Sequence, residues 1–398
     1  VISDQAFQPT ANLEPNAVLC AALAQGKVIL QGSQLNKALT RICDGSSDSF
    51  VRVDLGAHQQ IVEYEPLDQV ISVETGIKID QLNQILQPNN QYFPCSGSSQ
   101  QSVLDVINSG DCGHLEHSNS GMRSLILGLT IALPSGEILK TGGKVVKNVS
   151  GYDLTKLFVG SRGTLGLPFQ AHLRLSARPQ QSVTMTFFHK QYEVLQDSLT
   201  RLLKTGLPLS GCEFFVGNAL PQSFYGVNLR DVLSGEQPRS VLFLNVAEHQ
   251  SVIAELIPQI ESYMTADGIT STSCNATVFA ELENYFSERE WTVETSLCQD
   301  KFGQLQAKLI NSGINCHYRP GNGRVKILAK DEAEVQLVSN WLKIMSSLEQ
   351  PLIVASAREK YEYFVEQYPA EDANLSAIKT RIKAQFDPDN QLNPFAHL

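Results

Sequence analysis

The stretch from 141 to 166 reads Thr141-Gly142-Gly143-Lys144-Val145-Val146-Lys147-Asn148-Val149-Ser150-Gly151-Tyr152-Asp153-Leu154-Thr155-Lys156-Leu157-Phe158-Val159-Gly160-Ser161-Arg162-Gly163-Thr164-Leu165-Gly166. A helix is expected over 152–159, punctuated by Gly151 and Gly160. Beyond it, Ala171, Leu173 and Leu175 alternate with polar residues as a half-buried strand. Ahead of it, 127–133 and 137–141 form a hairpin joined by Pro134-Ser135-Gly136. Gly160, Gly163 and Gly166 have two readings. A glycine-rich turn beside a strand can aim successive backbone N–H groups at a diphosphate, because glycine permits positive φ and close backbone approach. The plainer alternative is that they cap the helix and open the next strand, and spacing alone favours it.

Upstream, 28–30, 51–53 and 70–73 read as strands and 79–86 as a helix starting near Asp80. Residues 95–121 are rich in Ser, Gly, Asn and Asp without periodic apolar positions, which predicts a long functional or mobile loop. Downstream of Arg178-Pro179-Gln180 the texture changes. Strands at 183–188, 212–216 and 241–246 alternate with helices at 195–204 and 252–264. Segments 305–310, 325–328, 335–345 and 352–355 continue the alternation. That pattern predicts an α+β layer of ferredoxin-like type, with a domain cut near 179.

A chain of 398 residues is too long for one core. A formal net charge of −10, with no Lys/Arg run, excludes nucleic acid as the main partner. The eight cysteines are dispersed without a C-x-x-C pair, so the chain itself is expected to carry neither an iron–sulfur cluster nor structural zinc. No apolar run is long enough for an integral membrane segment and the first residues lack signal-peptide character, so a cytoplasmic location is expected, with any membrane contact made through partners. Rossmann, P-loop and serine-hydrolase signatures are absent.

The run from Gly142 to Gly166 resembles the FAD-linked oxidases of the vanillyl-alcohol-oxidase and p-cresol-methylhydroxylase type. Within them it is most similar to the E-type FAD-binding subunits of glycolate dehydrogenase (glycolate oxidase). Tyr64-Glu65-Pro66-Leu67-Asp68 followed by Val73-Glu74-Thr75-Gly76 agrees in order and spacing, as does Gly128 before the hairpin. So does the closing Phe386-Asp387-Pro388-Asp389-Asn390-Gln391-Leu392-Asn393-Pro394. The resemblance is strong over 50–180, fair at the C-terminus and thin between. It implies an α+β protein: a two-subdomain FAD-binding fold over 1–178, a smaller ferredoxin-like cap over 179–355, and a helical tail over 356–398 returning to the first unit.

The same resemblance implies non-covalent FAD. Its contacts would be Gly32, Ser33, Gln34 and Asn36 in a first loop, and Pro94, Gly110 and Gly113 in a second. A third set would be Gly151, Tyr152, Gly160, Gly163, Thr164 and Gly166. Two loops depart from the family. Gly32-Ser33-Gln34-Leu35-Asn36 stands where a richer glycine loop is usual, and Val103-Leu104-Asp105-Val106 replaces a glycine pair. A non-glycine residue forced left-handed costs roughly 1–2 kcal/mol. A carboxylate about 6 Å from a diphosphate adds roughly 2–3 kcal/mol. A weakened hold on FAD is therefore expected.

Oxidising a 2-hydroxy acid needs a cation for the carboxylate and a base for the hydroxyl. The segment His317-Tyr318-Arg319-Pro320-Gly321-Asn322-Gly323 half resembles a catalytic stretch of the related D-type subunits, which makes His317 a candidate base and Arg319 a candidate carboxylate clamp. The competing and favoured alternative is a plain strand-turn-strand with its turn at 320–323. Cys112-Gly113-His114-Leu115-Glu116-His117 invites a metal, but a polar loop over a ligand pocket is preferred. By resemblance the partners are a D-type flavoprotein subunit, an iron–sulfur subunit and a small 2-hydroxy-acid substrate. Two alternatives stay open: a flavin-free scaffold subunit of the same complex, and a stand-alone FAD-dependent oxidase.

Overall fold

The computed structural model describes residues 15–30, 50–96, 101–144, 153–189, 191–217, 223–224, 227–228, 240–264, 269–274, 278–279, 291–297, 299–329, 333–334, 337–338, 341, 352–356 and 373–393. The N-terminal half opens with α1 (Pro15–Leu23), β1 (Lys27–Leu30) and β2 (Phe50–Val53), the two strands pairing in parallel. Then come β3 (Ile61–Glu65), β4 (Val70–Glu74), α2 (Ile79–Leu86), α3 (Val103–Ser109), β5 (Ile126–Ala132), β6 (Ile138–Gly142) and β7 (Leu167–Arg174). The last five strands form an antiparallel sheet in the order β3-β4-β7-β5-β6.

That sheet is covered on both faces. Ile71, Val73, Leu129, Ile131, Ala171 and Leu173 pack with Ile79, Leu82 and Leu86 of α2 and with Val103, Val106 and Ile107 of α3. Ala132, Leu167 and Phe169 turn instead toward α1, β1 and β2, where Val18, Val28, Leu30, Val51 and Leu104 complete a separate core. α2 holds its place because Ile79, Leu82 and Leu86 fall at helical spacing on one buried stripe.

The second half contributes β8 (Gln181–His189), α4 (Tyr192–Leu203), β9 (Gly211–Val216), β10 (Ser240–Glu248), α5 (Gln250–Met264), β11 (Thr270–Cys274), β12 (Trp291–Ser296), α6 (Gln299–Ser312), β13 (Asn315–Arg319), β14 (Arg324–Ala329) and β15 (Leu352–Ser356). Its eight strands make one antiparallel sheet, β11-β8-β10-β9-β13-β14-β12-β15. Side chains alternate across a strand. Cys212, Phe214 and Val216, Leu242, Leu244 and Val246, and Cys316, Tyr318, Val325 and Ile327 all face the helices α4, α5 and α6 in one large core. Their neighbours Glu213, Asn245, His317, Arg319 and Lys326 must therefore lie on the opposite face, and all five are buried. A buried polar sheet face is the feature that makes a site.

The chain finally returns to the first half. In α7 (Ala373–Phe386), Ile382 and Phe386 pack on the α2–α3 core, and Leu392 is fully buried beside Val28 and Leu30.

The sequence pattern is matched at most elements, with two corrections. The region read as an irregular loop holds the seven-residue α3. Ser102 caps it: its hydroxyl accepts from the Asp105 N–H at 3.2 Å, and the Asp105 carboxylate accepts from the Ser102 N–H at 2.8 Å. This reciprocal cap satisfies two orphan donors and starts the helix. Leu104 and Asp105 are thus right-handed helical residues, and the left-handed strain expected at 103–106 does not arise. Nearby, the helix read at 152–159 is confined, among the described residues, to Thr155–Phe158.

Candidate functional site

Gly110 ends α3 in the left-handed region, with φ of 66°. The chain then turns through Asp111–His117 and lays this loop on the polar face of the large sheet. Asp111 is the hub. Its Oδ1 accepts from Arg319 NH1 at 2.7 Å and from the Gly113 N–H at 2.9 Å, while its Oδ2 lies 3.3 Å from Arg324 NH1 and 3.8 Å from Lys326 Nζ. Arg319 also donates from Nε to Glu213 Oε1 at 2.9 Å, and the other Glu213 oxygen lies 3.0 Å from His317 Nε2. Arg324 NH2 reaches the Gly110 carbonyl at 3.3 Å, and Asn322 donates to Glu116 at 2.6 Å. His114 stacks on Phe279 with ring centroids 3.9 Å apart. The loop is bolted down by charge-assisted hydrogen bonds, the stronger kind.

The electrostatics follow from burial and pairing. Burial alone would raise the Asp111 carboxyl, but Arg319, Arg324 and Lys326 outweigh it and hold the group well below the usual carboxylate range. Burial likewise pushes Glu213 up, and His317 and Arg319 pull it down to about 2. The Arg319 guanidinium is disfavoured by burial yet held more firmly charged than usual by Asp111 and Glu213. His114 is lowered to about 4, by burial first, with Glu213 opposing and Arg319 assisting, so its ring is neutral at pH 7. Burial raises the Cys112 thiol to about 12.

The candidate pair is therefore together, on adjacent residues of one face of β13, and each member is already engaged. A substrate carboxylate arriving at Arg319 would have to displace Asp111 or Glu213. Asp111, Glu213, Arg324 and Lys326 were not singled out in the sequence. Glu213 and Lys326 carried a usable signal, each being one charged residue inside an apolar strand run. Among the described residues no group of three His, Cys, Asp or Glu side chains is arranged to hold a metal ion.

Of the described cofactor candidates, Gly110 and Gly113 belong to the α3 loop, and the 160–166 turn adjoins the end of α3. Gly160 N–H donates to the Ile107 carbonyl at 2.8 Å, and Arg162 N–H to the Asn108 carbonyl at 2.9 Å, so the 160–166 turn is stitched to α3. A Cβ on Gly110 would stand 3.1 Å from Gly160 Cα, whereas the Cβ side of Gly160 is open apart from Gly110 Cα at 3.9 Å. Gly113, Gly163 and Gly166 are instead filled by neighbours: Ser96, Asn393 and Ile131 would each lie within 3.0 Å of an added Cβ. Thr164 is buried, its hydroxyl donating to the Ser161 carbonyl at 2.7 Å, and Pro94 is buried beside Phe93. Gly32, Ser33, Gln34, Asn36, Gly151 and Tyr152 lie outside the described residues.

Two buried oxygens at the stitched segments have no protein partner, Asn108 Oδ1 and Ser161 Oγ. Unsatisfied buried oxygens are costly, so a polar ligand is the natural complement. The open glycine beside them admits close approach of a flat group. These residues fit a flavin nucleotide.

Comparison with known proteins agrees. Residues 5–142 match the family described as an FAD binding domain. Glycolate oxidase subunit GlcE of Escherichia coli is 27% identical over 234 residues, covering 56% of this chain and 64% of that protein. Glycolate oxidase subunit GlcD of Bacillus subtilis is 27% identical over 39% of this chain and 33% of its own length. D-2-hydroxyglutarate dehydrogenase of Stutzerimonas stutzeri is 25% identical over 88% of this chain and 81% of its own. The chain thus spans less than two thirds of either glycolate oxidase subunit. Among solved structures, alkyldihydroxyacetonephosphate synthase superposes with a TM-score of 0.70 at 13% identity, covering 97% of this chain and 76% of that one, a likeness of fold. Fold, cofactor cradle and sequence matches converge: residues 5–142 match an FAD binding domain, the chain is similar to FAD-linked hydroxy-acid oxidases and dehydrogenases, and FAD is the cofactor these matches support.

Proposed function

We propose that this protein is an FAD-binding oxidoreductase subunit of a glycolate or D-2-hydroxy-acid dehydrogenase complex. In this reading residues 1–178 hold FAD, 179–355 form the cap, and 356–398 tie the cap's end back to the FAD unit. FAD, when bound, supplies the two-electron acceptor that no side chain provides. Gly160 gives it access, and Asn108 Oδ1 and Ser161 Oγ hold its polar edge. The observation that carries the reading is this pair of unpartnered oxygens, Asn108 inside residues 5–142, which match an FAD binding domain, and Ser161 in the turn stitched to it.

The occupied state of Arg319 and His317 bears on the division of labour. With Asp111 and Glu213 already on the guanidinium, this chain works best as the electron-relaying subunit. Substrate chemistry then falls chiefly to a D-type flavoprotein partner, and electrons leave through an iron–sulfur partner. The same occupancy favours a second reading, a scaffold that keeps the fold without the flavin. An absorption spectrum separates them. Flavin bands that survive desalting support the first; a folded, colourless protein that retains no added FAD overturns it and leaves the scaffold. Co-purification of the tagged chain with D-type and iron–sulfur subunits from the same cells tests complex membership, and a chain recovered alone refutes it.

A further inference from the structure

The C-terminal segment 387–393 makes contacts out of proportion to its length. Asp387, 1% exposed, folds it: the carboxylate accepts from the Gln391 and Leu392 N–H groups at 2.9 and 2.8 Å and from Lys383 Nζ at 2.6 Å. Asn390 and Asn393 both take the left-handed region, with φ of 48° and 39°, where asparagine is among the few tolerated side chains. The segment then runs beside β1. Val28 N–H donates to the Gln391 carbonyl at 2.7 Å, and Asn393 N–H donates to the Val28 carbonyl at 2.9 Å.

The side chain of Asn393 does something further. Its Oδ1 accepts from the Leu30 N–H at 2.9 Å, and its Nδ2 donates to the Arg162 carbonyl at 2.6 Å. Leu30 is the last residue of β1. Arg162 sits between the open Gly160 and Gly163, in a turn whose Thr164 carbonyl is also taken by Lys383 Nζ at 2.6 Å. One amide, 1% exposed, thus ties the end of β1 to the 160–163 turn, and Gly163 is glycine at the point where a Cβ would strike Asn393 Nδ2 at 2.7 Å.

We propose that Asn393 is a positioning residue for the cofactor site: its amide sets the spacing between the end of β1 and the 160–163 turn that carries Gly160 and Ser161, so that FAD retention depends on the C-terminal strap. The inference rests on the FAD reading above. β1 can pair with β2 without Asn393, and the 160–166 turn is already stitched to α3. What the amide adds is the relation between them, which a ligand spanning both would sense.

The test uses the full chain as Asn393→Ala and Asn393→Asp, with Leu86→Ala as a control that destabilises the same unit without touching Leu30, Arg162 or Asn393. FAD affinity is read by fluorescence titration, and amide exchange is followed at Leu30 and in the 160–166 peptide without FAD. Asn393→Ala is expected to lose protection at Leu30 and to weaken FAD by about tenfold or more. Asn393→Asp keeps an acceptor for Leu30 but offers a carboxylate to the Arg162 carbonyl, so it should retain Leu30 protection and still weaken FAD. Leu86→Ala should lower the melting temperature with little effect on affinity. Equal FAD affinity in wild type and Asn393→Ala overturns the inference, as does an affinity loss in Leu86→Ala of the same size. A wild type that retains no FAD overturns the reading beneath instead, and unchanged exchange at Leu30 in Asn393→Ala then overturns the strap itself.

Discussion

Replacing Arg319 by Met tests the charge cluster directly, because it removes a cation shared by Asp111 and the buried Glu213. Asp111 keeps Arg324 at 3.3 Å, Lys326 at 3.8 Å and the Gly113 N–H, so it stays compensated. Glu213, 1% exposed, keeps the His317 contact at 3.0 Å and loses the bond at 2.9 Å. Removing one partner of a buried pair typically costs about 3–5 kcal/mol, and the surviving His317 contact argues for the lower end, about 3 kcal/mol. The pH dependence has a definite sign. A carboxylate held at about 2 contributes stability that is present above its ordinary range near 4.5 and lost only as pH falls toward 2. Without Arg319 the Glu213 carboxyl shifts back up, so the mutant should lose stability at a higher pH than wild type. The assay is urea unfolding followed by tryptophan fluorescence between pH 4 and 8, with thiol labelling of Cys112, Cys212 and Cys316 as a local probe of opening. Adding Glu213→Gln should recover part of the loss, since the orphaned charge is then gone. A single mutant within 0.5 kcal/mol of wild type at pH 7, with those thiols still protected, would refute the claim that this cluster fixes the loop.

Other outcomes follow from separate parts of the molecule. Ser102→Ala should destabilise the first unit by about 1 kcal/mol through loss of the α3 cap, read by thermal or urea unfolding; no change would mean that Asp105 does not depend on it. Gly110→Ala places a Cβ 3.1 Å from Gly160 Cα at a φ of 66°, so a cost of about 1–2 kcal/mol with reduced FAD content is expected, checked by denaturation and by the flavin absorbance of the purified protein. Iodoacetamide at pH 8 should label the exposed Cys20 while sparing Cys112, which is buried with its thiol raised to about 12; rapid labelling of Cys112 in mapped peptides would contradict the closed loop.

Much of this architecture is written locally, and what is not written locally was missed for one reason. The alternation of Val28–Leu30, the helical stripe of Ile79, Leu82 and Leu86, and the hairpin around Pro134-Ser135-Gly136 each specify themselves through neighbours in sequence. α3 is also local, but its signal is a single cap, Ser102 to Asp105, set in a run otherwise rich in loop-forming residues. Family likeness assigned the substituted glycine pair a strained loop, whereas the substituents instead support a helix. The charge cluster is different in kind. Asp111 and Arg319 are separated by 208 residues and Glu213 and Arg319 by 106, so no spacing could pair them. His317 and Arg319 were visible because their segment half resembles a catalytic stretch of the related D-type subunits, yet the resemblance could not say what they face. In the fold they face Glu213 and Asp111, internal carboxylates in the position a substrate carboxylate would need. That substitution explains why a stretch half resembling a catalytic motif can persist here: the guanidinium still binds a carboxylate, but one supplied by the protein's own first unit. Arg319 thus clamps Asp111 of the α3 loop to Glu213 of the large sheet, and among the described residues the glycine turn beside Asn108 and Ser161 is the position that fits a ligand.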